Sequence, residues 1–402
     1  MKFPQTQNLR LNPRKALAAT VVVACSILLI LWYLQRPFQS ELQILNISDH
    51  GQLIFGEAPV YKDCSVLESE WGSLVSSHGI KNSATFILRA KNDNHLANRV
   101  DEYILAPQCE LLPGGHLATV YVGSQHLENF ASIIHKVPFN FILISGDEDT
   151  TIPQDIYSYE TILSSPKLLR WYTQNLGVSI VPSDGNDIEA KKLRYLPIGL
   201  DLHTLYLRPE AVAHWGPKAS PIEQERDILQ IAGAAPPVQQ RKLQIFCNFQ
   251  FTKPKSSTWY DSLISNQEST KFQYDRDVAQ KYLKSKSDLA FFQNNKITRS
   301  ETWKLTSQYA FVASPHGHGL DCHRTWEALV LGTIPIVKSS SLDGMWDGLP
   351  VLIVQDWKDI TEELLHSTMK KFMSNKDLFY PNAQKLKLNY WREHISKMNE
   401  IK

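Results

Sequence analysis

The chain has 402 residues, a formal net charge of +1, 43% hydrophobic and 21% charged residues. This is an ordinary globular composition, long enough for one large or two ordinary domains. It shows no charge block, fixed-period repeat or low-complexity tract, which argues against nucleic acid as a partner.

Residues 16–34, ALAATVVVACSILLILWYL, are uncharged. At about 1.5 Å per helical residue they reach roughly the 30 Å of a bilayer's hydrocarbon core. Lys2, Arg10, Arg14 and Lys15 precede them without an acidic residue, and Arg36 and Glu41 follow. The positive-inside rule therefore places residues 1–15 in the cytoplasm and the body across the membrane, a single-pass type II arrangement with Trp32 and Tyr33 at the interface. A cleaved signal peptide is the competing reading. It calls for a shorter apolar region and a small-residue cleavage site, whereas Trp32, Tyr33 and Gln35 stand here. Residues 35–51 read as a stem, and Asn46-Ile47-Ser48 in it is a glycosylation sequon. Beyond the span lie Cys64, Cys109, Cys247 and Cys322. A lumenal setting allows a disulfide between Cys64 and Cys109, while Cys247 reads equally well as a buried thiol in a strand. No pair has the spacing of a CxxC zinc site.

Residues 52–209 alternate apolar runs with helical stretches. Strands are expected at 84–88, 119–122, 139–145, 178–182 and 193–198, which favours an α/β layer fold with a parallel sheet. Asp147-Glu148-Asp149 follows the third run, at a strand's carboxyl end, where α/β proteins place ligands. Leu196-Pro197-Ile198-Gly199-Leu200-Asp201 reads as a strand ending in a glycine turn, with His203 just beyond. Residues 210–242 read as an interdomain connection with a polar helix near 222–231 and an Ala-Ala-Pro-Pro run at 234–237. A second α/β domain, 243–402, opens on a strand at 243–251. It continues through helices near 275–285 and 298–307, a strand at 309–313, and an amphipathic tail at 382–397.

The segment 309–337, YAFVASPHGHGLDCHRTWEALVLGTIPIV, reads strand, glycine-containing loop, helix, strand. Gly317 and Gly319 let the backbone approach a ligand, Asp321 suits an N-cap, and Gly332 ends the helix. Such a turn offers free N–H groups and a positive helix end to a phosphate. On the helix Trp326, Leu329 and Val330 share one face, and Arg324 and Glu327 lie a turn apart on another. An Arg fork suits phosphate oxygens, and a Glu carboxylate can accept from two ribose hydroxyls. The alternative is a surface ion pair worth under about 1 kcal/mol.

Phe311-Val312-Ala313-Ser314-Pro315-His316-Gly317, with Arg324, Trp326-Glu327-Ala328 and Gly332-Thr333-Ile334-Pro335-Ile336-Val337, resembles the C-terminal signature of exostosin-like glycosyltransferases. The match is specific over 311–337 and looser over 243–354. The resemblance implies a GT-B architecture of two Rossmann-like domains around a cleft. It implies a nucleotide-sugar donor held by the C-terminal domain, at Ser314, His316, Gly317, Gly319, Arg324 and Glu327, and a glycan or glycoprotein acceptor. The 196–201 segment is similar to the Pro-x-Gly-Val-Asp turn that precedes the linker in many GT-B enzymes. His316, His318 and His323 depart from the family pattern; with Asp321 and Cys322 they invite a metal reading, but no zinc spacing is completed.

The resemblance also implies a Golgi transferase, with no required cofactor. Two alternatives stay open. The Asp147-Glu148-Asp149 triplet has the Asp-x-Asp form with which GT-A enzymes hold Mn or Mg, although a solvated turn accounts for it as well. The protein could also be a tethered glycan-binding module without turnover. Transfer needs a base for the acceptor hydroxyl and charge neutralisation on the departing diphosphate. Asp147, Asp149, Asp201 and His203 are unranked candidates for the base.

Overall fold

The computed structural model describes residues 52–55, 70–90, 102–107, 117–180, 191–249, 274–375, 379 and 381–396. The expected tail 1–15, span 16–34 and stem 35–51 with Asn46, together with Cys64 and Cys109, lie outside the described residues. Among the described residues no helix is long and apolar enough to cross a membrane.

The first sheet comprises β1 (Gln52–Phe55), β2 (Phe86–Ala90), β3 (Glu102–Pro107), β4 (Ala118–Gly123), β5 (Phe141–Gly146), β6 (Leu168–Thr173) and β7 (Leu193–Tyr195). Its order is β1-β3-β2-β4-β5-β6-β7. Every pairing is parallel except β2 with β3. β5 reads FILISG and is buried throughout, as a strand covered on both faces requires. Helices α1 (Ser77–Asn82), α2 (Leu127–Ile133) and α3 (Tyr159–Ser164) connect these strands. Ser76 caps α1 by accepting from Gly79 N–H at 3.1 Å.

The expected connection contains α4 (Pro221–Ala234), started by a reciprocal capping box between Ser220 and Glu223. A second sheet follows, with β8 (Lys242–Cys247), β9 (Ala290–Phe292), β10 (Tyr309–Ala313), β11 (Ile334–Lys338) and β12 (Leu352–Val354). Its order is β12-β11-β10-β8-β9, and all its pairings are parallel. Its helices are α5 (Asp275–Lys284), α6 (Arg299–Thr306), α7 (His323–Val330) and α8 (Glu362–Ser374). Strand order reverses between β8 and β10. Their carboxyl ends open the crevice in which doubly wound sheets bind ligands.

The expected α/β class therefore appears as two sheets, mostly parallel in the first and wholly so in the second. The strand expected at 178–182 is absent over 178–180, because the chain leaves the sheet through Asn175, whose φ is +50°. The place between β5 and β7 goes instead to β6, where Arg170 interrupts an apolar run but is buried and donates to the Lys191 carbonyl. The tail, read with the second domain from its sequence position, forms α9 (Leu388–Ser396) and packs on the first. Leu388 N–H donates to Ser73 O at 2.9 Å, and Leu388, Trp391 and Ile395 join the core that contains β5.

The turn after β7 has little freedom. Gly199 has φ +64°, and a Cβ there would lie 2.3 Å from Val75 O. Leu200 N–H donates to that same oxygen at 2.8 Å, so the two segments are fixed backbone to backbone. Gly199→Ala adds both a clash and a left-handed penalty, and should cost about 2–3 kcal/mol of stability in chemical denaturation.

Candidate active site

A cleft of about 910 Å³ opens at the switch point of the second sheet and is closed on its other side by Asp149, Ile198 and Asp201 of the first domain. Two helices aim their N-termini into it. α6 brings Arg299, Thr302 and Trp303, and α7 brings His323, Arg324 and Glu327. Trp326 and Leu329 on the other face of α7 are buried, which orients the polar face outward.

Arg324 and Glu327 both line the cleft and form no ion pair with each other, so the surface-pair alternative does not describe them. The Arg324 guanidinium lies 5.9 Å from the Phe249 ring centre, and its buried Nη1 has no hydrogen-bond partner. Burial disfavours its charge, and the nearby Arg276 adds repulsion. Two guanidinium groups gathered in a recess form a receptor for an anion. Arg276 is placed by its neighbour Asp275, which accepts from His316 N–H at 3.0 Å and from Trp357 Nε1 at 2.7 Å. A Cβ on Gly317 would lie 2.5 Å from Arg276 Nη2, and one on Gly319 would lie 2.7 Å from Asn175 Nδ2. Both glycines allow close approach. Burial raises the Glu327 carboxyl above its ordinary value, with Arg299 opposing.

Ser314 and His316, expected among the donor contacts, do not line the cleft. Ser314 Oγ is buried 2.8 Å from Thr325 Oγ1, and His316 Nδ1 is 2.8 Å from Leu320 O. They shape the loop from beneath, because the chain must cover its own polar groups as it turns from β10 into α7. Asp321 also differs from its expected part as N-cap, a position that Cys322 occupies without a side-chain cap. The Asp321 carboxylate accepts from Cys322 N–H at 2.8 Å, Trp326 Nε1 at 2.9 Å and Ile198 N–H at 2.8 Å in the other domain. Asn175 Oδ1 in turn accepts from Asp321 N–H at 2.9 Å. Burial raises its carboxyl to about 6 against these donors.

The four candidate bases fall in different settings. Asp149 is exposed at the cleft edge. Asp147, with φ +71°, is bonded by Lys81 Nζ at 2.8 Å and lies 3.5 Å from His78 Nε2. Burial alone would raise the Asp147 carboxyl, but His78 and Lys81 hold it below its usual range. Asp201 is buried and paired with Arg299, which also donates to the Asp201 carbonyl and to Gln224 Oε1 on α4. Burial works against its charge, yet Arg299, then His323 and His203, keep its carboxyl well below the carboxylate range. His203 stacks on His78 with ring centres 4.4 Å apart, and its Nδ1 sits 3.3 Å from Asp201 Oδ1 without hydrogen-bond geometry.

Sequence reasoning missed His78, Lys81, Arg276 and Arg299. Each is isolated in the sequence, next to no motif, and is brought in by a long-range contact. Only the capping box of α6, Thr298 with Glu301, marks the start of the helix that carries Arg299.

No family model and no curated relative matches the chain. Among solved structures, it is similar to an α,α-trehalose-phosphate synthase (UDP-forming) from Burkholderia vietnamiensis at 12% identity and TM-score 0.31, covering 68% of this chain and 72% of that one. It is also similar to an E. coli trehalose-6-phosphate structure bound with UDP-2-fluoro glucose, at 10% identity and TM-score 0.37, covering 85% and 97%. A sucrose-phosphate synthase from Thermosynechococcus elongatus shows 10% identity and TM-score 0.32 over 86% and 94%. These are loose likenesses of chain path.

Burial pushes His203 down to about 4, against the pull of Asp201. The unfolded chain therefore takes up a proton there first, so stability present above about pH 6.5 is lost as pH falls toward 4. Asp321 works the other way, since its folded carboxyl keeps its proton up to about 6 and its ionisation costs stability as pH rises from about 4. Chemical denaturation at pH 4.5, 5.5 and 7 should show His203→Gln reducing the acid loss by on the order of 2 kcal/mol relative to the unmutated protein.

Proposed function

We propose that the protein is a glycosyltransferase that moves a sugar from a nucleotide-sugar donor to a glycan or glycoprotein acceptor. The observation that carries this is the Arg324 guanidinium, buried in the cleft with Nη1 unpartnered one residue inside the N-terminus of α7. It stands beside Arg276 and the Gly317–Gly319 loop, one turn from Glu327. An anionic diphosphate satisfies Arg324 and the N–H groups at the start of α7, with the Arg276 charge close by, and a ribose satisfies Glu327. Two α/β halves facing each other across this cleft support a GT-B reading, with the donor on the second half. The 311–337 signature supports the exostosin-like family as the finer assignment. The apolar span at 16–34 supports a type II protein of the Golgi membrane with its catalytic body in the lumen.

In this reading Arg324 and the α7 N-terminus stabilise charge that grows on the leaving diphosphate, a role realised mainly in the transition state. Arg324→Ala should lower kcat/KM by about 10²–10³. Its melting curve should stay within about 1 kcal/mol of the parent, because the side chain removed is a buried charge with an unpartnered nitrogen. Turnover at the parental rate would remove Arg324 from the site.

We further propose that transfer requires no divalent cation. Asp147 is committed to Lys81 and flanked by His78, so Asp147 and Asp149 are poorly placed to share Mn or Mg. Transfer measured in excess EDTA should proceed at the untreated rate. Loss on EDTA with recovery on Mn would favour the metal-dependent alternative instead.

A further inference from the structure

Donor binding as described makes no use of the His323 ring, which lines the cleft. His323 is the first residue of α7, immediately before Arg324, yet its ring reaches the first domain, where Nδ1 lies 2.8 Å from Gly199 O. A carbonyl oxygen only accepts, so Nδ1 carries a proton, and in the neutral ring the lone pair is on Nε2. The ring lines the cleft, and Nε2 has no hydrogen-bond partner among the described residues. Protonation at Nε2 leaves the bond to Gly199 intact, so the ring can gain and lose a proton without moving.

The charged groups around the ring come from both domains. Asp201 and the His203 ring, 5.9 Å away centre to centre, approach from the first. Arg299 on α6 pairs with Asp201, while Arg324 and Glu327 share α7, and Asp321 and Cys322 precede it. The other candidate bases are worse placed. Asp201 has Oδ2 on Arg299 and Oδ1 accepting from Thr204 N–H at 3.0 Å. His203 lies behind His323 and does not line the cleft, and Asp149 is exposed at its edge.

We propose that His323 Nε2 is the base that takes the acceptor's proton, an assignment that rests on the glycosyltransferase reading. The acceptor O–H gives its proton to Nε2, and the oxygen's electron pair forms the bond to the anomeric carbon. The bond from that carbon to the diphosphate oxygen breaks, its electron pair leaving with the diphosphate beside Arg324. The imidazolium then returns its proton to water. Attack opposite the leaving group inverts the anomeric centre.

The test uses His323→Asn, whose amide N–H can replace Nδ1–H toward Gly199 O but offers no base at the Nε2 position. Expected are a kcat lower by about 10²–10⁴, rescue in part by added imidazole, and loss of the acidic limb of the kcat/KM profile. Nucleoside diphosphate affinity and melting temperature should match the parent. The proposal is overturned if the acidic limb survives, if the variant's defect is lost nucleotide affinity, or if the product keeps the donor's anomeric configuration. A parent protein that binds no nucleoside diphosphate at all sinks the glycosyltransferase reading itself, and is distinguished by needing no variant to see it.

Discussion

The Asp321 carboxylate holds the two halves of the site in register. It sits at the bend where the β10 loop becomes α7, accepts from its own loop and from Trp326, and reaches across to Ile198 N–H in the first domain. The returning contact, from Asp321 N–H to Asn175, fastens the same residue by its backbone. Removing the acceptor would leave three donors without it, of which the buried Trp326 Nε1 carries a penalty of about 1–3 kcal/mol and the two part-buried backbone N–H groups less. Burial that raises its carboxyl to about 6 still leaves it ionised at neutral pH, where three donors need an acceptor. Because Cys322, the next residue, is the N-cap of α7, the direction of His323 and Arg324 is set by this anchor.

A second buried crossing, Asp201 with Arg299, works on the same seam from the opposite side. Its attraction must offset the desolvation of two ions, which is why the extra partners matter: Thr204 N–H on the carboxylate, and Gln224 with the Asp201 carbonyl on the guanidinium. Gln224 belongs to α4, whose Nε2 also donates to Leu202 O at 2.8 Å. The connecting helix is thus structural at the junction, and the chain's apparent linker helps to position the cleft.

The sequence made the α/β class legible because buried parallel strands announce themselves as apolar runs, as in FILISG and YAFVA. It failed where that signal is weak or counterfeit. β9 and β12 have three residues each, too few for a pattern, and VSIVP at 178–182 looks like a strand but follows a turn at Asn175. In the site, Gly317, Gly319, Arg324 and Glu327 were readable because one loop and one helix carry them at fixed spacing. Asp201 was readable as a residue but not as a strut, since its partner Arg299 is 98 positions away. The packing of α9 on the first domain was likewise invisible, because an amphipathic face says that it is covered and not by what.

The distribution of charge across the cleft explains why the seam contains neutral histidines. The second domain's wall carries Arg276 and Arg324, and Arg299 already satisfies Asp201. Lys81 likewise satisfies Asp147. With the nearby carboxylates committed to these cations, burial decides the protonation of the interior rings, and both His78 and His203 are driven toward the neutral form. Cationic rings there would extend the positive field to the first-domain wall. Kept neutral, they leave that field to the second-domain wall, where Arg276 and Arg324 stand.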